Sequence, residues 1–160
     1  MARLQRATQL FVASTLVAST AVAAQAGGAP LRDTHSHRDA PLVVSTVVNR
    51  TRAAQSEASL RGDLADALDA TSFDGVPAGK HYLLKASLTE LERAASGARS
   101  ITTSTFEVAV VDGSTAKIVG IVRGHARVEA ASSDTAADEA AVRAAAQHAV
   151  ESAVVVARGP

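Results

Sequence analysis

Hydrophobic and polar positions fall into blocks of two different periods, and the order of those blocks predicts the elements. Leu42 to Val48 is a short, mostly apolar, β-branched run ended by Asn49-Arg50-Thr51, and it reads as a buried strand. Leu60, Leu64 and Leu68 then recur every four residues with Ala53 and Ala67 nearby, while Glu57, Arg61, Asp63 and Asp66 occupy the other faces. This predicts an amphipathic helix, within which Gly62 costs about 1 kcal/mol relative to Ala. Ser72 to Val76 predicts a short strand, and Pro77-Ala78-Gly79-Lys80 a turn. Tyr82, Leu84, Ala86 and Leu88 alternate with Leu83, Lys85, Ser87 and Thr89, the period of a strand with one apolar and one mostly polar face. Ala94 to Ser100, small and containing Gly97, predicts a loose connection. Ile101 to Val111 and Lys117 to Val128 predict an antiparallel pair around the turn signal Asp112-Gly113.

In the last of these strands Val122, Gly124, Ala126 and Val128 alternate with Arg123, His125, Arg127 and Glu129. The small residues on the inner face predict that something packs closely against them, and a helix is the expected visitor. It follows in the sequence: Thr135 with Asp138 three residues on resembles a capping box, and an Ala-rich stretch runs from Ala136 to about Val156. Val142, Ala145, Ala146, Ala149, Val150, Ala153 and Val154 share one face of it, opposite Arg143, Gln147 and Glu151. The elements predict an α+β (mixed α/β) fold, a two-layer sandwich of a four- to five-stranded sheet with two helices on one face and the polar sheet face in water.

Ahead of this domain the pattern changes. Arg3 and Arg6 form a basic start, Leu10 to Val22 is apolar apart from small Ser and Thr, and small-residue triplets end at Ala23 and Ala26. Residues 1–26 thus read as a secretory signal peptide, too short in its apolar core for a membrane span of about 20 residues. Residues 27–40 are polar, turn-rich and aperiodic, and are expected to be a disordered leader, dispensable for folding. Residues 41–157 are expected to form the single domain.

Composition sharpens this picture. Without residues 1–26 the chain has 14 basic and 16 acidic residues, and no Lys/Arg run, which argues against nucleic acid or anionic lipid as a partner. Cysteine is absent, so disulfides, thiolate metal sites, cysteine nucleophiles and a lipidated cysteine are excluded, and no stable membrane anchor is expected after cleavage. With an aromatic share of 2% and no Trp, the core must be aliphatic. Abundant Ala and Val with few Lys fit a GC-rich bacterial source.

Two segments carry a family resemblance. His81-Tyr82-Leu83-Leu84-Lys85-Ala86-Ser87-Leu88-Thr89-Glu90-Leu91 and Val111-Asp112-Gly113-Ser114-Thr115-Ala116-Lys117-Ile118-Val119, with the Leu-rich helix before them, resemble bacterial envelope accessory proteins related to the periplasmic domain of the curli-secretion lipoprotein and the TolB amino-terminal domain. Ala116 stands where that hairpin usually has Gly, and the lipidation cysteine of many relatives is missing. The resemblance implies an accessory or assembly module of the envelope that works by binding, not catalysis.

Candidate chemistry is sparse. Asp33, His35, His37 and Asp39 are the one dense group of metal-capable side chains, with His35 and His37 as candidate ligands, but an aperiodic leader offers no outer-shell support and solvated histidines are the expectation. Ser36 between the two histidines cannot form a local triad, because neighbours on an extended chain point in opposite directions. His81, His125 and His148 fall on or near polar faces, and surface histidine is expected for each. A pairing of His125 with a carboxylate such as Glu107 across the hairpin would be explained equally by a cross-strand polar pair. Gly113, Gly120 and Gly124 serve turn and packing, not a phosphate loop, and Asn49-Arg50-Thr51 is a glycan acceptor only in a eukaryotic secretory pathway. The expectation is a periplasmic or secreted, non-enzymatic protein without a cofactor, whose partner is another envelope or secreted protein. The alternative is a small metal-binding protein or hydrolase using its histidines.

Overall fold

The computed structural model describes residues 40–134 and 136–159. The expected signal peptide, nearly all of the expected leader, and with it His35 and His37, lie outside them. Six elements follow one another: β1 (Leu42–Asn49), α1 (Glu57–Asp69), β2 (Tyr82–Ser96), β3 (Arg99–Asp112), β4 (Ile118–Ala131) and α2 (Ala137–Arg158). The strands form one sheet in the order β1-β2-β3-β4, with β1 parallel to β2 and the other two neighbouring pairs antiparallel. Both helices pack on the sheet, giving the α+β fold that the periodicity predicts.

α1 starts where Ser56 accepts a hydrogen bond from the Ser59 amide at 3.1 Å, which satisfies one of the orphan donors of the first turn. Leu60, Leu64, Ala67 and Leu68 are its buried stripe. The core is aliphatic around Phe106, the one fully buried aromatic among the described residues, with Leu84, Leu88, Val108, Val110 and the alanine face of α2. α2 sits unusually near β4: a Cβ built on Gly124 would collide with the Ala145 carbonyl oxygen and the Ala149 amide nitrogen, and one on Gly120 would lie 2.7 Å from Val156 Cγ1. Helix backbone against strand backbone is possible only because both partners lack bulk.

The structure departs from the sequence expectations in four places. Ser72–Val76 is not a strand; the Ser72 hydroxyl accepts from the Asp74 amide and the Val76 amide donates to Phe73 O, so local turns consume the groups a ladder would need. The sheet therefore has four strands. Ala94–Ser100 is not a loose connection but the end of β2, a two-residue turn at Gly97 (φ 63) and Ala98, and the start of β3. Small residues suited an edge-free hairpin tip, and Gly97 supplied the positive φ that a tight turn requires. At α2 the N-cap is Ala136, with no side-chain cap bond, and Asp138 accepts instead from the Thr102 hydroxyl at 2.9 Å. Thr135 lies outside the described residues. Lastly, Glu107 pairs with Arg123 (3.1 Å) and not with His125, because the register sets Glu107 opposite Arg123 and Thr105 opposite His125.

The register also shifts between Leu88 and Glu90, which turns the far half of β2 over. Arg93 consequently joins the helix side, where its guanidinium donates to Ser100 Oγ (3.1 Å) and to the carbonyls of Ser132 (3.1 Å) and Asp134 (2.7 Å), 3.8 Å from Asp138. One side chain thus fastens β2, β3, the β4–α2 loop and the first turn of α2. Ser104, fully buried beside this cluster, has a hydroxyl without a hydrogen-bond partner among the described residues.

Candidate binding surface on the open sheet face

The sheet face away from the helices is built by strand register into ranks that cross it. At the end nearest the β3–β4 turn, Val43, Leu83, Val111 and Ile118 share one rank, and Lys85, Ala109 and Ile121 share the next. Beyond them the face becomes polar, with Glu107 opposite Arg123, then Glu90, Thr105 and His125, then Glu92, Thr103 and Arg127. The exposed large apolar side chains among the described residues are Ile118 (61%), Val119 (47%), Ile121 (60%) and Val155 (62%). Three open β4 and the fourth is next to Val156, which lies against Gly120. Val119 is the extra residue where the β3–β4 register shifts between Val110 and Val111, so the bulge presents side chains outward at the sheet's edge.

Each edge of the sheet is treated differently. Over β1, Arg61 of α1 donates to the carbonyls of Val44 (3.0 Å) and Ser45 (3.4 Å), capping the outer strand. Over β4, His148 lies 2.9 Å through Nδ1 from the His125 carbonyl, which can only accept, so that nitrogen carries the proton. The rest of β4, 14 residues long, is an uncovered edge with alternate backbone groups facing outward.

The histidines do not converge. His81, His125 and His148 are all exposed, on the β2 approach, β4 and α2. Thr105 Oγ1 donates to Glu90 Oε2 (2.8 Å), leaving its lone pair to accept from His125 Nδ1 (3.2 Å), a cross-strand polar rank on the open sheet face. An apolar cavity of about 500 Å³ lies between β1 and α1, lined by Leu42, Val44, Leu68 and Phe73 among others, and no histidine lines it. No group of three or more metal-capable side chains occurs among the described residues. No helix among them is long and apolar enough to cross a membrane. Asn49, the first residue of the glycan sequon, has both ends of its side chain engaged, donating to Ala53 O and Gln55 O and accepting from Thr51.

The β3–β4 turn beside the apolar ranks is held by Asp112. Its Oδ1 accepts from the amides of Ser114 and Thr115, both at 2.9 Å, and from the Ser114 hydroxyl. These bonds, that from the Ser114 hydroxyl foremost, hold its carboxyl well below the usual carboxylate range. Sequence reasoning missed the roles of Arg93 and Asp112, and only the Asp-Gly step hinted at the second.

No family model matches the sequence, and no curated protein does. The chain is similar to several solved structures. A Xanthomonas campestris protein of the DUF330 family superposes with a TM-score of 0.51 at 17% identity, over 74% of this chain and 84% of that one. The PelC dodecamer from Paraburkholderia phytofirmans gives 0.45 at 16% identity, over 69% and 84%. Lipoprotein GNA1162 from Neisseria meningitidis gives 0.40 at 15%, over 59% and 86%. The likeness to the Xanthomonas campestris protein is one of fold.

Proposed function

We propose that this chain is an exported, non-enzymatic bacterial envelope protein that binds another envelope component through the open sheet face at β4. The observation that carries the reading is the exposure of Ile118, Val119 and Ile121 close together in β4, a strand at the edge of the sheet. Soluble domains place isolated apolar residues on their surfaces without consequence, but a contiguous group at an open edge marks an interaction site. The signal-peptide pattern of residues 1–26 supports export. The segments that resemble the curli-secretion lipoprotein domain and the TolB amino-terminal domain, one in β2 and one at the β3–β4 turn, support an accessory role.

A photo-crosslinking residue at Ile121, compared with one at Arg143 on the far side of α2, tests the reading in cells. The expected result is a processed protein in the envelope or secreted fraction that forms an adduct from position 121 and not from 143. A cytoplasmic protein retaining Met1, or no adduct from 121, overturns it.

A further inference from the structure

We infer that the occupant of the β4 edge is an extended segment of another protein that adds as a fifth strand, with apolar side chains at one end and an acidic side chain at the other; this rests on the proposed binding role of that face. The strand edge supplies backbone hydrogen bonds, which give affinity without sequence preference, and the side chains of β4 supply the preference. Along the open face of β4 those side chains run from Ile121 through Arg123 and His125 to Arg127. Ile121, with Ile118 and Val119 beside it, calls for apolar partners. Glu107 already pairs with Arg123 and Arg99 pairs with Glu129 at 3.0 Å, whereas Arg127 has no salt bridge among the described residues. The charge left over on the edge is therefore positive and sits six residues from Ile121, about 20 Å along an extended chain. An incoming strand complements it with a carboxylate opposite Arg127.

A second copy of this chain fits less well. Antiparallel registers centred near the middle of β4 place Arg123 opposite Arg123, His125 or Arg127, and in the first and last of these like charges lie directly opposite, which is destabilising. The next register sets Arg123 opposite Glu129 but leaves Ile118 and Val119 beyond the partner strand and Ile121 against Ala131, its last residue. The β1 edge is the poorer acceptor for any strand, because Arg61 already occupies two adjacent carbonyls of an eight-residue strand, whereas along the 14 residues of β4 His148 engages the single carbonyl of His125.

The probes are two blocked ten-residue peptides with valines in one half, the other half carrying Glu in one peptide and Lys in the other. They are titrated against the full chain, with amide chemical shifts as the readout. The Val/Glu peptide is expected to move resonances of residues 118–129, and the Val/Lys peptide to bind roughly tenfold more weakly. Arg127→Glu is expected to reverse that order, and Ile121→Ser to weaken both. Equal binding of the two peptides, an order unchanged in Arg127→Glu, shifts confined to β1, absence of binding, or a dimer of the free chain through β4 would each overturn the inference. An Ile121 adduct in cells alongside any of these results leaves the broader binding role standing and removes only the acidic strand.

Discussion

At the scale of single residues, the β3–β4 turn shows how a familiar signal can be right for another reason. Asp112-Gly113 predicts a hairpin turn through the conformational freedom of glycine, yet the residue with positive φ is Ala116 (φ 57). Gly113 is needed for space instead, since a Cβ there would lie 3.0 Å from the His81 carbonyl oxygen. The left-handed region is unfavourable for Ala by roughly 1 kcal/mol or more and free for Gly. Ala116→Gly is therefore expected to raise stability by about 1 kcal/mol, read as a higher midpoint in urea. Ser104 offers a second, independent gain. Its buried hydroxyl lacks a partner among the described residues, and removing an unsatisfied group relieves a desolvation penalty of about 1–3 kcal/mol. Ser104→Ala should stabilise, and a loss of stability would show that the hydroxyl has a partner, such as a bridging water.

Elements meet at the α2–β4 contact, and there the sequence was most legible. Alternation of Gly124 and Ala126 with charged residues, followed by a helix with an alanine face, states in the pattern itself that two small surfaces will meet. What they meet with differs along the strand. At Gly124 the obstacle is helix backbone, which cannot move without moving α2, whereas at Gly120 it is the side chain of Val156. Gly124→Ala is expected to destabilise by about 1–3 kcal/mol or more, and Gly120→Ala by less, while Arg143→Ala, exposed on α2 and losing only its 3.8 Å approach to Asp63, should cost less than Gly124→Ala; denaturation midpoints of the three compare them directly. Arg93 was illegible for a physical reason. Period-two reasoning assigns a strand residue to a face by counting, and one extra residue near Thr89 inverts the count for everything after it. The same limit hid the outward aim of Val119, and Ser72–Val76 misled because β-propensity says nothing about whether a neighbouring strand is available to pair with. The candidate binding surface was legible as a polar face in water, but its apolar end was not, since Ile118, Val119 and Ile121 read as ordinary strand residues until the register placed them on an edge.

Across the whole molecule, two carboxylates couple stability to pH in opposite directions, and their positions make them separable. Asp112 holds the turn next to the proposed binding edge, and its folded pKa lies below its ordinary value. Its contribution is complete above the ordinary carboxylate pKa, about 3.9, and is lost as pH falls below that toward the folded value. Asp63, on α1 facing α2, has a raised pKa, chiefly because burial disfavours its charge; Arg143 at 3.8 Å lowers it, and Asp66 and Glu139 raise it further. For an acid this sign means that the ionised form weakens the fold at neutral pH, and that the penalty disappears as pH falls through the folded and then the unfolded pKa. Asp112→Asn is thus expected to destabilise at pH 7, with its deficit relative to the parent shrinking below about pH 4. Asp63→Asn is expected to be more stable than the parent at pH 7, with the advantage vanishing as pH falls to the ordinary carboxylate value, above the window in which the Asp112 contribution is lost. Thermal melts of the parent and both variants at pH 7 and at pH 3 separate the two effects. If Asp63→Asn were instead less stable at neutral pH, the attraction of Arg143 would outweigh burial at that site, and the α1–α2 contact would be held by the ion pair rather than by the leucine and alanine faces beneath it.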